Sequence, residues 1–259
     1  MKVLLTGGNG YIAKSVSSFL KDEHEITSIS RKDFDLTDSK STKNWFDKCD
    51  KFDVIIHTAI TGGNRLKKED VDVLDGNLRM YYNLLENKHK FEKFISLGSG
   101  AEIYNNETPY GLSKKVIAES IKYHDKFYNL RIFAVFDHNE LSTRFIKGNI
   151  KRYIHKEPMI IHQDKIMDFF YMEDLVFLIN YYIINDNLSK QIDCSYGDQY
   201  KLSDIAIIIN DLDDYKVIIQ IKEDGISPPY FGISNDLLEF VGLKHGIKKT
   251  YNKLKNENL

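Results

Sequence analysis

Cysteine is scarce in this chain. Only Cys49 and Cys194 occur among 259 residues. That is too few for a disulfide framework or a thiolate zinc site, so no metal is expected and a reducing, cytoplasmic setting is. Proline is scarce too: four residues, with no proline-rich linker, no low-complexity tract and no solenoid period. Long apolar runs are missing. The longest, residues 175–184, is too short to span a bilayer and carries Asn180, so it reads as a core helix. Charge of one sign is missing as well. A net charge of −2 provides neither a basic field for nucleic acid nor a polybasic patch for a membrane. The first residues form an apolar strand with one lysine, which predicts no secretory leader. What remains, 42% hydrophobic and 29% charged residues, suits one large α/β domain or one domain with a small lobe.

What the chain has is concentrated at its start. Residues 3–5, Val-Leu-Leu, read as a buried parallel strand that breaks into Thr6-Gly-Gly-Asn-Gly10, and residues 11–20 read as a helix. Gly7, Gly10 and Ala13 are spaced three apart. Gly7 permits the tight turn, Gly10 leaves room for a pyrophosphate at the backbone, and Ala13 lets the helix sit close to the sheet. The helix N-terminus offers free N–H groups and a positive dipole. A strand, a glycine turn and a helix in this order predict dinucleotide binding.

Strand and helix signals alternate onward. Residues 25–30 form a second strand. NAD sites usually place an acid about 20 residues past the turn to accept from the ribose 2′-hydroxyl. Here the strand ends in Ser30-Arg31-Lys32. A guanidinium suits a 2′-phosphate, which favours NADP(H) over NAD(H); the alternative is two solvated charges. Residues 34–36 are a short strand or a turn, with Asp35 facing the adenine amino group and Leu36 packing on the ring, or Asp35 serving as a cap. A helix over 39–49 is capped by Asp38 or Ser39. Residues 53–59 are a buried strand in which His57 is a core or edge histidine rather than a base, and Thr58 and Ala59 sit at its carboxyl end, where ligands bind in such sheets. A loop over 61–64, a helix over 70–88, a strand over 91–97, a helix over 109–127 and a strand over 130–136 follow. This order predicts a doubly wound parallel α/β sheet of the Rossmann type.

The rest is less regular: a basic helix over 141–156, a strand over 167–171, a helix from 172 to near 185, a strand over 191–196 and a helix over 203–210 capped by Ser203. An edge strand over 217–221 and helices over 236–241 and 248–255 close the chain. We expect a dinucleotide-binding domain over 1–137, with 160–192 returning to it. Residues 138–259 mainly form a small substrate lobe.

Tyr110 and Lys114 stand four apart, on one face of a helix. A tyrosine hydroxyl titrates near about 10 and is a poor acid or base at neutral pH. An ammonium one turn away favours the phenolate, giving a group able to pass a proton while a hydride moves at carbon. The alternative is an exposed Tyr beside a solvated Lys. Arg144, in the basic helix, either clamps a diphosphate or lies at the surface.

Thr6-Gly-Gly-Asn-Gly-Tyr-Ile-Ala13, Gly98-Ser99-Gly100, Pro109-Tyr110-Gly111-Leu-Ser-Lys114 and Asp168-Phe-Phe-Tyr-Met-Glu-Asp174-Leu together resemble the extended short-chain dehydrogenases/reductases. The likeness is to the nucleotide-sugar epimerase, dehydratase and reductase group, including GDP-fucose-synthase-like enzymes. It implies Tyr110 as acid/base, Lys114 on the nicotinamide ribose, and Ser99 on the sugar oxygen. The cofactor set it implies is Gly7, Asn9, Gly10, Tyr11, Ile12, Arg31, Asp35, Leu36, Thr58, Ala59, Leu97, Lys114 and Phe133. Ser99, Gly100 and Arg144 would meet the substrate, and residues 168–174 would be mainly structural. A homodimer is implied through Met80, Tyr81, Leu84, Val116, Ile117 and Ile121.

The chain departs from the pattern in places. Counting back from Ile103-Tyr104 puts the family's Ser/Thr position on Gly100, and a one-residue shift restores Ser99. Gly100-Ala101-Glu102 lacks the Asp of the dehydratases. The cysteine of GDP-fucose synthases is absent, Arg144 stands where their histidine falls, and the proline after the sixth strand is missing within residues 132–135. The expectation is therefore NADP(H)-dependent reduction of the 4-keto group of a nucleotide-activated deoxysugar. A nucleotide-sugar epimerase or dehydratase with bound NAD(P), or a non-catalytic NADP-binding relative, are the alternatives.

Overall fold

The computed structural model describes residues 1–63, 68–233 and 238–257. Two compact units divide the chain: Met1–Ile132 with Val176–Ile192, and Phe133–Leu175 with Asp193–Leu259.

The first unit is built on a six-stranded sheet. Its strands are β1 (Lys2–Thr6), β2 (Glu25–Ile29), β3 (Phe52–His57), β4 (Phe91–Ser99), β5 (Phe127–Ile132) and β9 (Gln191–Cys194), in the order β2-β1-β3-β4-β5-β9. The pairs β1–β2, β1–β3, β3–β4 and β4–β5 are all parallel. Parallel pairs need crossovers, which α1 (Tyr11–Leu20), α2 (Ser39–Asp47), α3 (Val71–Glu86) and α5 (Pro109–Ile121) supply. The chain leaves β1 toward β2 and returns past it to β3. The carboxyl ends of β1 and β3 are thus the point where the strand order reverses, the place where ligands bind in open parallel sheets. Leu4, Ile55, Phe94 and Phe127 from the strands meet Tyr81, Leu84, Ile117 and Ile121 from α3 and α5 in one buried core.

That packing corrects the expected dimer surface. Met80, Tyr81, Leu84, Ile117 and Ile121 are buried in the chain's own core and Val116 is half-buried, so these side chains are spent holding α3 and α5 to the sheet. Three element boundaries also move. The helix expected over 109–127 stops at Ile121, because Lys126 takes φ 53° and turns the chain into β5, to which Phe127 belongs. The strand over 91–97 runs on to Ser99, and a short helix, α4 (Ala101–Tyr104), follows it. The single strand expected over 130–136 breaks at Phe133–Ala134 into β5 and β6 (Val135–Phe136). Residues 34–36 form no strand. Of the loop over 61–64, Asn64 lies outside the described residues.

In the second unit, β6 pairs with β8 (Phe170–Tyr171), and β7 (Met159–Asp164) pairs with β10 (Ile219–Ile226), both parallel. Helices α6 (Phe145–Ile154), α8 (Leu202–Asn210) and α9 (Leu243–Glu257) pack with them. Tyr153 is fully buried, stacks on Tyr215 at 4.6 Å, and donates its hydroxyl to the Tyr215 carbonyl at 3.0 Å. Strand β7 was not anticipated, and β10 runs further than residues 217–221. From Gln220 onward β10 is exposed, as are Ile218, Ile221 and Ile226. The N-cap of α8 is Lys201, not Ser203, whose hydroxyl donates instead to Asp164 at 2.6 Å. The helix expected over 236–241 is absent at residues 238–241, while 236 and 237 lie outside the described residues. The helix α7 (Met172–Ile184) matches the apolar run. Among the described residues no helix is long and apolar enough to cross a membrane.

Candidate active site

The glycine turn is shaped as the motif requires. Gly7 takes φ +70°, and a Cβ there would stand 2.8 Å from the Ala59 backbone. The Gly10 N–H donates to the Gly7 carbonyl at 2.8 Å, and Gly10 is the N-cap of α1 with no capping side chain. Gly10 thus brings no capping side chain to the first turn of this ten-residue helix, where an incoming phosphate would sit.

Thr6 ties this turn to the end of β3. Its hydroxyl accepts the Thr58 and Ala59 N–H groups, each at 3.2 Å, while the Thr58 hydroxyl donates to the Thr6 carbonyl at 2.7 Å. With both N–H groups donating to it, the Thr6 hydroxyl proton goes to His57 Nδ1, 2.9 Å away. Burial pushes His57 down to about 3, with the Lys114 charge adding to the effect. His57 is therefore a neutral core histidine at physiological pH.

A cavity of about 400 Å³ opens beside these strand ends. Gly7, Gly10, Arg31, Asp35, Leu36, Thr58 and Ala59 all line it. Asn9, Tyr11 and Ile12 lie on the turn and the first turn of α1, outside those walls. Ile29, Ser30, Phe34, Ile60, Thr61, Gly62 and Met80 also line it, none of which was among the cofactor residues expected from sequence. The signal for Phe34 and Ile60 was an apolar residue in a strand-end loop, indistinguishable there from ordinary packing. Asp35 is engaged as a turn acceptor, its Oδ1 taking the Thr37 N–H and hydroxyl at 2.9 Å each. A second cavity of about 530 Å³ shares Arg31, Asp35 and Thr61 and adds Arg79, Asp72 and Asp75.

Tyr110 and Lys114 come from the start of α5. Thr108 caps the helix by accepting the Gly111 N–H at 3.1 Å, and Pro109 occupies its first position. The Lys114 ammonium lies 5.9 Å from the Tyr110 ring centre and donates to the Leu97 carbonyl at 2.5 Å. Burial pushes Lys114 down to about 8, and the Glu102 charge opposes that fall. Glu69 bridges to this helix, with one oxygen on the Tyr110 N–H at 3.0 Å and the other on the Gly63 N–H at 2.6 Å. Ser99 ends β4, is buried, and its hydroxyl accepts the Ala101 N–H at 3.2 Å. Gly100, at the register position of the motif serine, has no hydroxyl and donates its N–H to the Ile132 carbonyl.

A model of the NAD dependent epimerase/dehydratase family matches residues 3–193, which take in the glycine turn, Ser99, Tyr110 and Lys114. The chain belongs to that family. As a member it is an extended short-chain dehydrogenase/reductase of oxidoreductase type, as the motifs imply. It is similar to GDP-L-colitose synthase of Yersinia pseudotuberculosis, 26% identical with 99% of each chain covered. It is also similar to CDP-abequose synthase of the same organism, 22% identical over 91% of this chain and 94% of that one. Its fold matches the GDP-mannoheptose C4 reductase from Campylobacter jejuni, solved with NADP bound, at a TM-score of 0.80, 16% identity and 98% coverage of both chains.

Two expected site residues of this family member fall in the second unit. Phe133 is buried, with its ring edge-on to Tyr230 at 5.5 Å. Arg144 is exposed and is the N-cap of α6 rather than a residue inside that helix. Asp168 and Asp174 are structural acceptors there: Asp168 takes the Ser195 hydroxyl and the Gly232 N–H, and Asp174 takes the Tyr196 hydroxyl and the Val241 and Gly242 N–H groups.

Proposed function

We propose that this chain reduces the 4-keto group of a nucleotide-activated deoxysugar with NADPH, using Tyr110 as the proton donor. The observation that carries this reading is the pairing of Tyr110 and Lys114 on one face of α5, in the same unit as the uncapped start of α1. Gly7, Gly10 and the first turn of α1 would hold the pyrophosphate, Thr58, Ala59 and Leu36 the adenosine, and Arg31 the 2′-phosphate. When bound, the nicotinamide supplies a hydride to the carbonyl carbon. As the C–O double bond opens, its oxygen takes the phenol proton of Tyr110. The phenolate left behind is stabilised by the Lys114 ammonium and recovers its proton from solvent. Ser99 would hold the sugar oxygen through its hydroxyl.

Support for reduction over elimination comes from Glu102. A dehydratase needs free carboxylates at the substrate, whereas Glu102 is buried and engaged by Ser99, Asn129 and Arg131. The names of the similar proteins, a CDP-abequose synthase, a GDP-L-colitose synthase and a GDP-mannoheptose C4 reductase, support the same reading. A second reading, C4 epimerisation with retained cofactor, draws on the family's own description.

The deciding experiment follows NADPH absorbance as 4-keto-6-deoxy sugars on GDP, CDP, UDP and dTDP are supplied. Stoichiometric NADPH loss with one of them is expected. No consumption with any nucleotide, together with interconversion of C4 epimers, would replace the reductase by the epimerase.

A further inference from the structure

The carboxylate of Glu102 lies against Gly98, at the end of β4. A Cβ on Gly98 would stand 2.4 Å from Glu102 Oε1 and 2.5 Å from Asn129 Oδ1, so only glycine leaves room for this arrangement. Oε1 accepts the Ser99 N–H at 2.8 Å. Oε2 accepts Asn129 Nδ2 and Arg131 Nε, each at 3.0 Å. Glu102 is 5% exposed, and its ion pair with Arg131 is shielded on both sides. A charged carboxylate taken out of water at a strand end is costly unless it is held and used.

The Lys114 ammonium is buried at the same strand end, on the carbonyl of Leu97, two residues before Ser99. The charged and titratable groups around it are few. Glu102 faces it from α4, His57 from β3, and Tyr110 from its own helix; Arg131 of β5 acts through Glu102. His57 is neutral; burial pushes the Glu102 carboxyl up, against the pull of the Ser99 N–H, Arg131 and Asn129, and held by these donors Glu102 is the acid among them placed to carry negative charge.

We propose that Glu102 is a positioning residue of this site, fixing the Ser99 backbone and acting as the buried counter-ion that keeps Lys114 charged. The motif glutamate of the dehydratase pattern is thereby turned away from substrate chemistry and into the sheet. One carboxylate links the hydroxyl-bearing strand end to the cation beside Tyr110. The consequence for turnover rests on the reading of Tyr110 and Lys114 as the reacting pair; the electrostatic link does not.

The test is a pair of reciprocal titrations followed by NMR on isotope-labelled lysine Cε and glutamate Cδ. In Glu102→Gln, the Lys114 midpoint should fall by about one unit below its wild-type value, as loss of a close opposite charge requires. In Lys114→Met, the Glu102 midpoint should rise by the same amount, because coupling between two sites is mutual. A loosened fold would instead let water in and move Lys114 up toward about 10.4. An unmoved or raised Lys114 midpoint, or an unmoved Glu102 midpoint, overturns the proposal. If Glu102→Gln does not fold, the Lys114→Met arm alone decides. Both shifts in a chain that consumes no NADPH would uphold this role and overturn the proposed reaction.

Discussion

Tyr110 carries the chemistry proposed here through one oxygen. Tyr110→Phe keeps the ring, and should lower kcat by about 10²–10⁴ while leaving NADPH affinity within a few-fold. Steady-state rates and fluorescence titration check the two halves separately. Arg31 makes a different kind of claim. It has no hydrogen-bond partner among the described residues and lines both cavities. Arg31→Ala should raise KM for NADPH about tenfold or more and leave KM for NADH nearly unchanged. Glu140 bears on stability. Burial pushes its carboxyl up to about 8, against the pull of the Lys147 N–H and Arg144. The folded state therefore holds a proton that the unfolded chain releases near about 4.3. The stability this group contributes is full below that value and is lost as pH rises through about 8. Between about pH 5 and pH 8, Glu140→Gln should lose less stability than the wild type, by on the order of a few kcal/mol, measured as urea midpoints. Placements that follow from spacing, such as Gly7 in the tight turn and Tyr110 with Lys114 on one helix, were legible in the sequence. Glu102 and Glu69 were not, because their partners on β5 and at the start of α5 come from far along the chain.

Elements were legible where period and cap agree. The first four crossovers follow from alternating strand and helix signals, and the capping acceptor at Thr108 with Pro109 marks the start of α5. Boundaries failed where a backbone conformation decided them. Nothing in the composition of residues 122–126 announces that Lys126 is left-handed and ends the run to Phe127. The pair β7–β10 was half missed, because a parallel two-stranded sheet joins segments about 60 residues apart with no local signal. Gly111 tests the junction of α4 and α5. A Cβ there would lie 1.9 Å from the Asn105 carbonyl oxygen. Gly111→Ala should cost about 2–3 kcal/mol, because backbone rather than a flexible side chain must move, and chemical denaturation reads it directly.

For the whole molecule, the fold class was readable because each βα unit repeats one pattern, and the family match supports that reading. The assembly was misread in its details: of the six apolar residues assigned to a partner, all but the half-buried Val116 are buried in the chain's own core. We still propose a homodimer through α3 and α5, but on the residues they leave outside. Val71, Tyr82 and Leu112 are 68%, 43% and 37% exposed. Light scattering at micromolar concentration should give the mass of two chains, and Tyr82→Glu with Leu112→Glu should give one. The exposed strand β10 carries a different consequence. Its isoleucines make it a ready template for fibril growth, and Lys222-Glu223-Asp224 interrupt that stretch with charge. Solubility of the whole protein thus hangs on three guards far in sequence from Tyr110, and drift that neutralises them would be felt first as lost yield rather than lost turnover.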